Sequence, residues 1–417
     1  MYVLRIGLFF LVLAQCLPAW ADWEVSGQGK LLLSHSAYLS DDFVSVATGE
    51  QQYSDLNANA RLMASNRWDS YDFNLHYQLS GASGDSLNIP LSASPFSTST
   101  IINDDSRLLD LSMELENSSS GRWSQRLDRL NLGYAGRQLV WRVGRQAISW
   151  GNGLAYNPMD IFNPFSPLAI DTEYKTGDDL FYAQWLFQNG DDLQLIFLPR
   201  RDPADGAVKP ALASTAIKFR TMSGVTDWDL LLARHYGENL LAIGHVRDVG
   251  GAIWRLDANV TQLEDGRTAL FAMSNMDYSW IAFGHNVYGF IEYYHNSLGA
   301  ESVSLAGLDS ALVSRLQRGE VHSLGRDEVA LGLMVELTPR WQSNVTLLRN
   351  LHDRSSLLSL TGNYDWLQDT KLMFGAQISL GERDTEFGGI AYTDPVSSLS
   401  GYIGAPSRLY LYIQQYY

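Results

Sequence analysis

The sequence predicts an all-β fold: a transmembrane antiparallel β-barrel of about 18 strands, with about 16 as the alternative, short periplasmic turns and long extracellular loops. Three observations lead there: alternation of apolar and polar residues, abundant Trp and Tyr, and an N-terminus that reads as an export signal. Across residues 71–80, Tyr71, Phe73, Leu75, Tyr77 and Leu79 are apolar, while Asp72, Asn74, His76, Gln78 and Ser80 are polar. Successive side chains of a strand point to opposite faces, so this segment has one apolar face and one wet face. Similar pieces of about ten residues recur between turns, which suits lipid outside and a polar lumen inside.

Arg5 supplies a positive n-region, residues 6–17 an apolar core, and Ala19-Trp20-Ala21 an A-x-A cleavage site. The apolar core is too short to cross a bilayer as a helix. Residues 1–21 are therefore expected to be a cleaved signal, and residues 22–417 one outer-membrane barrel domain. Cys16 is the single cysteine, and Gln15 stands where lipidation would need a small residue. The mature chain, from Asp22, can then form no internal disulfide. No later stretch reaches the roughly eighteen apolar residues of a membrane helix. The chain is 46% hydrophobic, with 12 Trp, 21 Tyr and 16 Phe, a composition that suits aromatic girdles at two membrane interfaces. The net charge is −16, with acids collected at Asp41-Asp42, Asp104-Asp105 and Asp178-Asp179. There is no basic stripe, which excludes nucleic acid as a partner. Lysines are few (Lys30, Lys175, Lys209, Lys218, Lys371), so most positive charge is arginine, which grips carboxylate or phosphate bidentately.

The first strand is read over residues 23–38, with Val25, Leu31 and Leu33 on one parity and Glu24, Gln28 and Lys30 on the other. Residues 55–65 put Leu56, Ala58, Ala60, Leu62 and Ala64 outward and Asn57, Asn59 and Arg61 inward, and a short turn leads to residues 71–80. Residues 81–105 read as an external loop. Residues 107–115 alternate too, fitting either a spanning strand or a loop hairpin. Leu130, Leu132 and Tyr134 lead into the turn Ala135-Gly136, and Leu139, Trp141 and Val143 lead away. Phe181, Ala183, Trp185 and Phe187 form the next outward face. Asn189-Gly190 then suits the positive φ of a hairpin turn before Leu193, Leu195 and Phe197. Further strands are read at residues 213–221, 227–236, 240–247, 252–262, 267–280, 286–296, 329–337, 343–351, 358–365 and 371–380. Residues 296–326 and 382–406 are long loops, and residues 308–318 have a helical spacing. Residues 408–417 alternate Leu409, Leu411 and Ile413 and end on Tyr417. Such an aromatic end resembles the signal read by bacterial outer-membrane assembly machinery. An even strand number places both termini on the periplasmic side. With a strand starting at the cleavage site, no N-terminal plug is expected.

Residues 145–167, RQAISWGNGLAYNPMDIFNPFSP, are dense in Gly, Asn, Pro and aromatics between two clear strands. Asn157-Pro158 and Asn163-Pro164 each set a turn, with the residue before proline pushed towards extended backbone, and Gly151 and Gly153 allow tight bends. A loop of this composition either folds into the lumen and narrows it or caps the rim. In the first case Trp150, Asn152, Tyr156, Asp160, Phe162 and Phe165 are the candidates to line a constriction or meet a solute.

Gly144-Arg145-Gln146, Trp150-Gly151 and Asn157-Pro158-Met159-Asp160 together resemble a widespread group of porin-like outer-membrane proteins of Gram-negative bacteria, over residues 126–202. The resemblance implies a barrel in the bacterial outer membrane. For some members it implies export or uptake of hydrophobic molecules, with no agreed substrate. The N-terminal hatch of long-chain fatty-acid transporters is not expected here.

Arg145 shares parity with Leu139, Trp141 and Val143, so a regular strand would aim it at lipid, where it would cost a few kcal/mol. Either it lies at the interface and snorkels, or a bulge near Gly144 turns it inward, and the cost of an arginine at depth favours the bulge. The remaining charges assigned to the lumen are Arg61, Arg126, Arg142, Lys218, Arg220, Arg255 and Lys371, against Asp72, Asp227, Asp229, Asp257, Glu292 and Asp365. Opposed rows of this kind would set up a transverse field.

The eight histidines are scattered without metal-ligand spacing. Gly81-Ala82-Ser83-Gly84-Asp85 is no nucleophile elbow, because Asp85 stands where glycine belongs. No enzyme, metal or cofactor is expected. Three functions remain: a channel for small solutes, a component of a route for hydrophobic molecules, and a closed surface-recognition barrel. The partners expected are membrane lipid and lipopolysaccharide, the barrel assembly machinery, a small solute and a possible second copy of the chain.

Overall fold

In a computed structural model, which describes residues 23–89 and 103–417, the alternating segments close into a barrel of 18 antiparallel strands. The cleavable signal assigned to residues 1–21 lies outside the described residues. The strands are β1 (Trp23–Ala37), β2 (Gln52–Trp68), β3 (Tyr71–Gly84), β4 (Ser112–Asn117), β5 (Arg122–Ala135), β6 (Leu139–Gln146) and β7 (Asp178–Leu186). They continue as β8 (Asp192–Leu198), β9 (Ser214–Ser223), β10 (Thr226–His235), β11 (Glu238–Val249), β12 (Ala252–Gln262), β13 (Thr268–Ala282) and β14 (His285–Asn296). The last are β15 (Asp327–Thr338), β16 (Trp341–Asn350), β17 (Ser356–Leu367), β18 (Thr370–Leu380), β19 (Ile390–Thr393), β20 (Ser400–Ile403) and β21 (Ser407–Tyr416). All but β4, β19 and β20 form the wall, and β21 closes it on β1 with Leu31 opposite Ile413. Two helices sit in the long loops: α1 (Phe43–Thr48) and α2 (Ser310–Arg318), the latter within the segment of helical spacing.

The outward parity carries Leu31, Leu33, Phe181, Phe197, Leu232, Leu241, Ile291 and Leu333, all exposed. A continuous apolar exterior of this size has lipid as its natural neighbour. At the short-turn end the outward positions turn aromatic. Trp68 stacks on Tyr71 at 6.2 Å, Tyr134 on Trp141 at 6.1 Å and Tyr278 on Trp280 at 6.2 Å, forming one girdle.

Three departures from plain alternation shape the interior. First, residues 107–115 do not span the barrel. Only β4 is a strand, and it pairs with the part of β5 that β6 does not reach, Met113 lying opposite Gln125. Second, the β3–β5 register slips between His76 and Tyr77, which face Arg129 and Leu127, so Asp128 is the extra residue of a bulge. Arg126 and Asp128 on one side of the bulge and Arg129 and Asn131 on the other therefore all serve the lumen. Third, the inward face of β8 to β11 is itself apolar: Ile196, Leu198, Ala216, Leu231, Leu240 and Ala242 are all buried.

The bulge predicted at Gly144 is absent. Pairing of β6 with both neighbours is unbroken through Gly144, which adopts φ +112. Arg145 keeps its parity but is fully buried, because the segment around Asp104 and Leu109 covers the end of β6. Its guanidinium donates to Asp179 at 2.8 and 2.9 Å, to Asp104 at 2.6 Å and to the Leu109 carbonyl at 2.7 Å. A buried charge is tolerable only when its donors are satisfied in this way.

Candidate functional site

Where β6 ends, the chain enters the barrel, and residues 147–177 tour its inner wall before rejoining it as β7. The first half of this loop is a tongue bolted to the wall by carboxylates that strands project inward. Asp257 on β12 accepts from the backbone N–H and the side-chain amide of Asn152, both at 2.7 Å. Glu292 on β14 accepts from three successive backbone N–H groups, those of Leu154, Ala155 and Tyr156, at 2.7, 3.0 and 2.6 Å. Asn275 donates to the same carboxylate at 2.9 Å. Tyr156 stacks on Tyr294 with ring centroids 4.6 Å apart, and its hydroxyl donates to Glu328 of β15. Asp257 and Glu292 thus satisfy orphan backbone donors of a turn that has no strand partner, and Glu328 anchors its tyrosine side chain.

Apolar contact does the rest. Trp150, Met159, Ile161 and Phe162 pack against the apolar inner face of β8 to β11, and Trp150 Nε1–H donates to Gln194 at 2.9 Å. Gly151 is obligatory here: its φ is +91, and a Cβ would lie 1.9 Å from Asn157 Oδ1. Asn163 was expected to be extended before Pro164 but adopts φ +54, a region asparagine tolerates, with its amide donating to Asp178 at 2.7 Å. Asp160 is buried against Lys175, 2.5 Å from its ammonium, which also donates to the Ile148 carbonyl at 2.6 Å. Burial raises the Asp160 carboxyl to about 6 despite Lys175, and burial lowers Lys175 in turn.

The second half, residues 168–177, is a polar shelf along the opposite wall. Asp171 and Glu173 meet Lys30 of β1 at 2.6 and 3.0 Å. Burial alone would raise Asp171, but Lys30 holds it below the usual carboxylate range. The Tyr412 hydroxyl donates to Asp171 at 2.8 Å, and the Tyr416 hydroxyl donates to Glu173 at 2.5 Å. Tyr174 lies under the Arg61 guanidinium at 3.3 Å and beside that of Arg129 at 4.4 Å. Burial pushes its phenol up to about 12, against the pull of Arg129.

A small cavity of about 60 Å³ lies beside the tongue, lined by Tyr156, Pro158, Asp160 and Phe165, and larger water-accessible spaces lie on the basic side of the lumen. One cavity of about 290 Å³ is lined by Lys30, Asn59, Arg61, Arg122, Asp171 and Tyr174. A second, of about 570 Å³ and nearer the short-turn end, is lined by Arg67, Asp72, His76, Arg129 and Arg142. The Nε–H groups of Arg61, Arg122, Arg126 and Arg142 have no protein acceptor among the described residues. These Nε–H groups are buried, and it is as cations that Arg61, Arg122, Arg129 and Arg142 border the two spaces.

Of the loop residues singled out from sequence, Trp150, Tyr156, Asp160 and Phe162 are buried and hold the tongue to the wall, Asn152 is half-buried on Asp257, and only Phe165 is exposed. The opposed charge rows do not form. Arg142 pairs with Asp72 at 3.0 Å, Lys218 with Asp229 at 3.3 Å, Arg220 with Asp227 at 3.1 Å and Arg255 with Asp277, each pair within one wall. Asp257 and Glu292 are covered by the tongue, Arg126 meets Asp104 and Asp128, and Lys371 lies over the Tyr416 ring with Asp365 opposite it in register. Neighbouring strands sit closer to each other than facing walls do, so opposite charges pair laterally.

Sequence reasoning missed Arg122, Arg129, Asp171, Tyr174, Glu328 and the role of Lys30. For Arg129 a signal existed: the apolar positions Leu127 and Leu130 are three apart, which betrays the bulge. The apolar runs Leu195-Ile196-Phe197-Leu198 and Leu230-Leu231-Leu232 likewise announced strands covered on both faces.

No family model matches the chain, and no curated protein is similar to it. Solved structures give the fold. A BenF-like porin from Pseudomonas fluorescens Pf-5 superposes with a TM-score of 0.53 at 8% identity, over 95% of this chain and 98% of that one. Pseudomonas aeruginosa OccK9 (OpdG) gives 0.52 at 9% identity, over 95% and 98%. Acinetobacter baumannii OccAB3 gives 0.51 at 9% identity, over 95% and 99%. The chain therefore has the porin-like barrel fold of these outer-membrane proteins from Gram-negative bacteria.

Proposed function

We propose that this chain is a channel of the bacterial outer membrane that passes small solutes, with residues 147–177 as its constriction and small anions as its favoured cargo. The observation that carries this reading is the asymmetric lumen. One wall is packed by the tongue, with a cavity of about 60 Å³ beside it, and the other keeps two larger cavities in which Lys30, Arg61, Arg67, Arg122, Arg129 and Arg142 outnumber Glu24, Asp72, Asp128 and Asp171. Rings and rows of basic side chains select anions by electrostatic attraction close to the path, whatever the net charge of the whole molecule. The porin-like fold of the neighbouring structures supports the reading, as does the apolar exterior. The burial of Trp150 and Phe162 weighs against a route for hydrophobic molecules, since neither ring is free to meet one. Removal of residues 1–21 on export, a single barrel domain from residue 22, contact with lipopolysaccharide, insertion by the assembly machinery and association of copies belong to the same reading. So does the kinship implied by the Gly144-Arg145-Gln146 and Asn157-Pro158 segments. Its test is single-channel recording of the refolded mature chain in a planar bilayer, with reversal potential under a salt gradient. Discrete openings with anion preference are the expected outcome. Silence from a folded barrel would overturn the channel, and cation preference would overturn the cargo.

A further inference from the structure

Two cavities lie on the basic side of the lumen, and they share no lining residue. Their boundary falls at the same height on three neighbouring strands. On β2, Arg61 borders the first cavity and Ser65 the second; on β3, Gln78 and His76 divide in the same way; on β5, Asp128 and Arg129 do. One side chain meets all three strands at that height. The Tyr174 ring packs against Arg61 and Arg129, and its hydroxyl bonds the His76 imidazole. The backbone beside it is fixed, since Arg129 donates to the Lys175 carbonyl at 2.5 Å and Lys30 holds Asp171 and Glu173. The ring itself is held only by its faces and its hydroxyl.

We propose that Tyr174 is the gate between an outer and an inner vestibule: a solute crosses only when the ring leaves its place between Arg61 and Arg129. This rests on the channel reading above. The two guanidiniums serve the gate twice. They hold the closed ring by cation–π contact, and when it swings away they present to an arriving anion the positive surface the ring had covered. An anion would thus compete with the ring for the same two cations, which couples opening to the charge of the solute.

The experiment compares wild type, Tyr174→Phe and Tyr174→Ala in planar bilayers with potassium chloride as the only solute. Tyr174→Ala should raise conductance about twofold or more, or open a silent barrel, because a constriction sets the resistance of the whole path. Tyr174→Phe, which keeps the ring and loses the hydroxyl, should conduct like wild type with more frequent flickering. A conducting wild type with an unchanged Tyr174→Ala variant overturns the gate and leaves the channel standing. Silence of both, in barrels shown folded by their heat-modifiable migration, overturns the channel and the gate with it. Tyr174→Cys supplies a second readout, since Cys16 is the only native cysteine and precedes the barrel. A negatively charged methanethiosulfonate should cut its current from either side of the bilayer. Current that persists after complete labelling overturns the gate.

Discussion

The two halves of the loop inside the barrel solve the same problem by different physics. The tongue, from Trp150 to Phe162, meets a wall of apolar side chains and buried acids, with a cavity of about 60 Å³ beside it. The shelf, from Leu168 to Gly177, meets Lys30, Arg61, Arg129 and the tyrosines of β21, and a water-accessible cavity of about 290 Å³ borders it. The tongue is fixed as a core is fixed, through burial and satisfied backbone donors. The shelf is fixed by charge and aromatic contact, which a passing ion can contest. Rigidity on one wall and exchangeable contacts on the other are what a selective passage requires.

The largest effect that would test this division is removal of the tongue. Deleting residues 152–166 should raise conductance about twofold or more if the loop sets the constriction; a folded deletion variant with wild-type conductance would show that the narrow part lies elsewhere. Next comes Glu292→Leu. It strips three backbone N–H groups of their acceptor, at roughly 1–3 kcal/mol each. The tongue should then be cut by added protease in the folded barrel, where wild type resists, while shelf contacts stay intact. Equal resistance in both would mean that apolar packing alone suffices.

A smaller effect is pH-dependent. The Asp160 carboxyl is raised by burial from 3.8 to about 6, so the docked tongue binds more protons than an undocked one between those values. Its contribution is fully present below the ordinary aspartate value and falls by up to roughly 3 kcal/mol as pH rises through about 6. Protease protection of the loop should accordingly be greater at about pH 5 than at about pH 7.5. Asp160→Asn should flatten that difference, and a variant with the same pH dependence as wild type would rule Asp160 out as its source. The smallest effect concerns selectivity. Arg122→Gln, on the shelf side, should lower the anion-to-cation permeability ratio about twofold. Lys218→Gln, on the tongue side and paired with Asp229, should leave it unchanged. Equal shifts from both would erase the distinction between the walls.

Much of this molecule could be read from period alone. Alternation assigned which residues of β2, β3 and β7 face out, because a strand has only two faces and lipid admits one kind of side chain. Asn189-Gly190, Asn157-Pro158 and the helical spacing before Arg318 marked turns and a helix by local chemistry. The density of Gly, Asn, Pro and aromatics marked residues 145–167 as an unusual loop, and the chain does place it inside. Composition did not say which way its rings would point. That depended on Ile196, Leu231 and Leu240, more than thirty residues away in sequence, forming an apolar wall that outcompetes solute for Trp150 and Phe162. Nor could parity place Arg145, buried beneath the Asp104 segment, or Tyr174, whose three neighbours come from β2, β3 and β5. The sequence by itself determined the faces of the strands, since that choice is local and periodic. Only the closed barrel decided which inward groups meet one another, because lateral pairing of charges and docking of the loop depend on contacts between segments far apart in the chain.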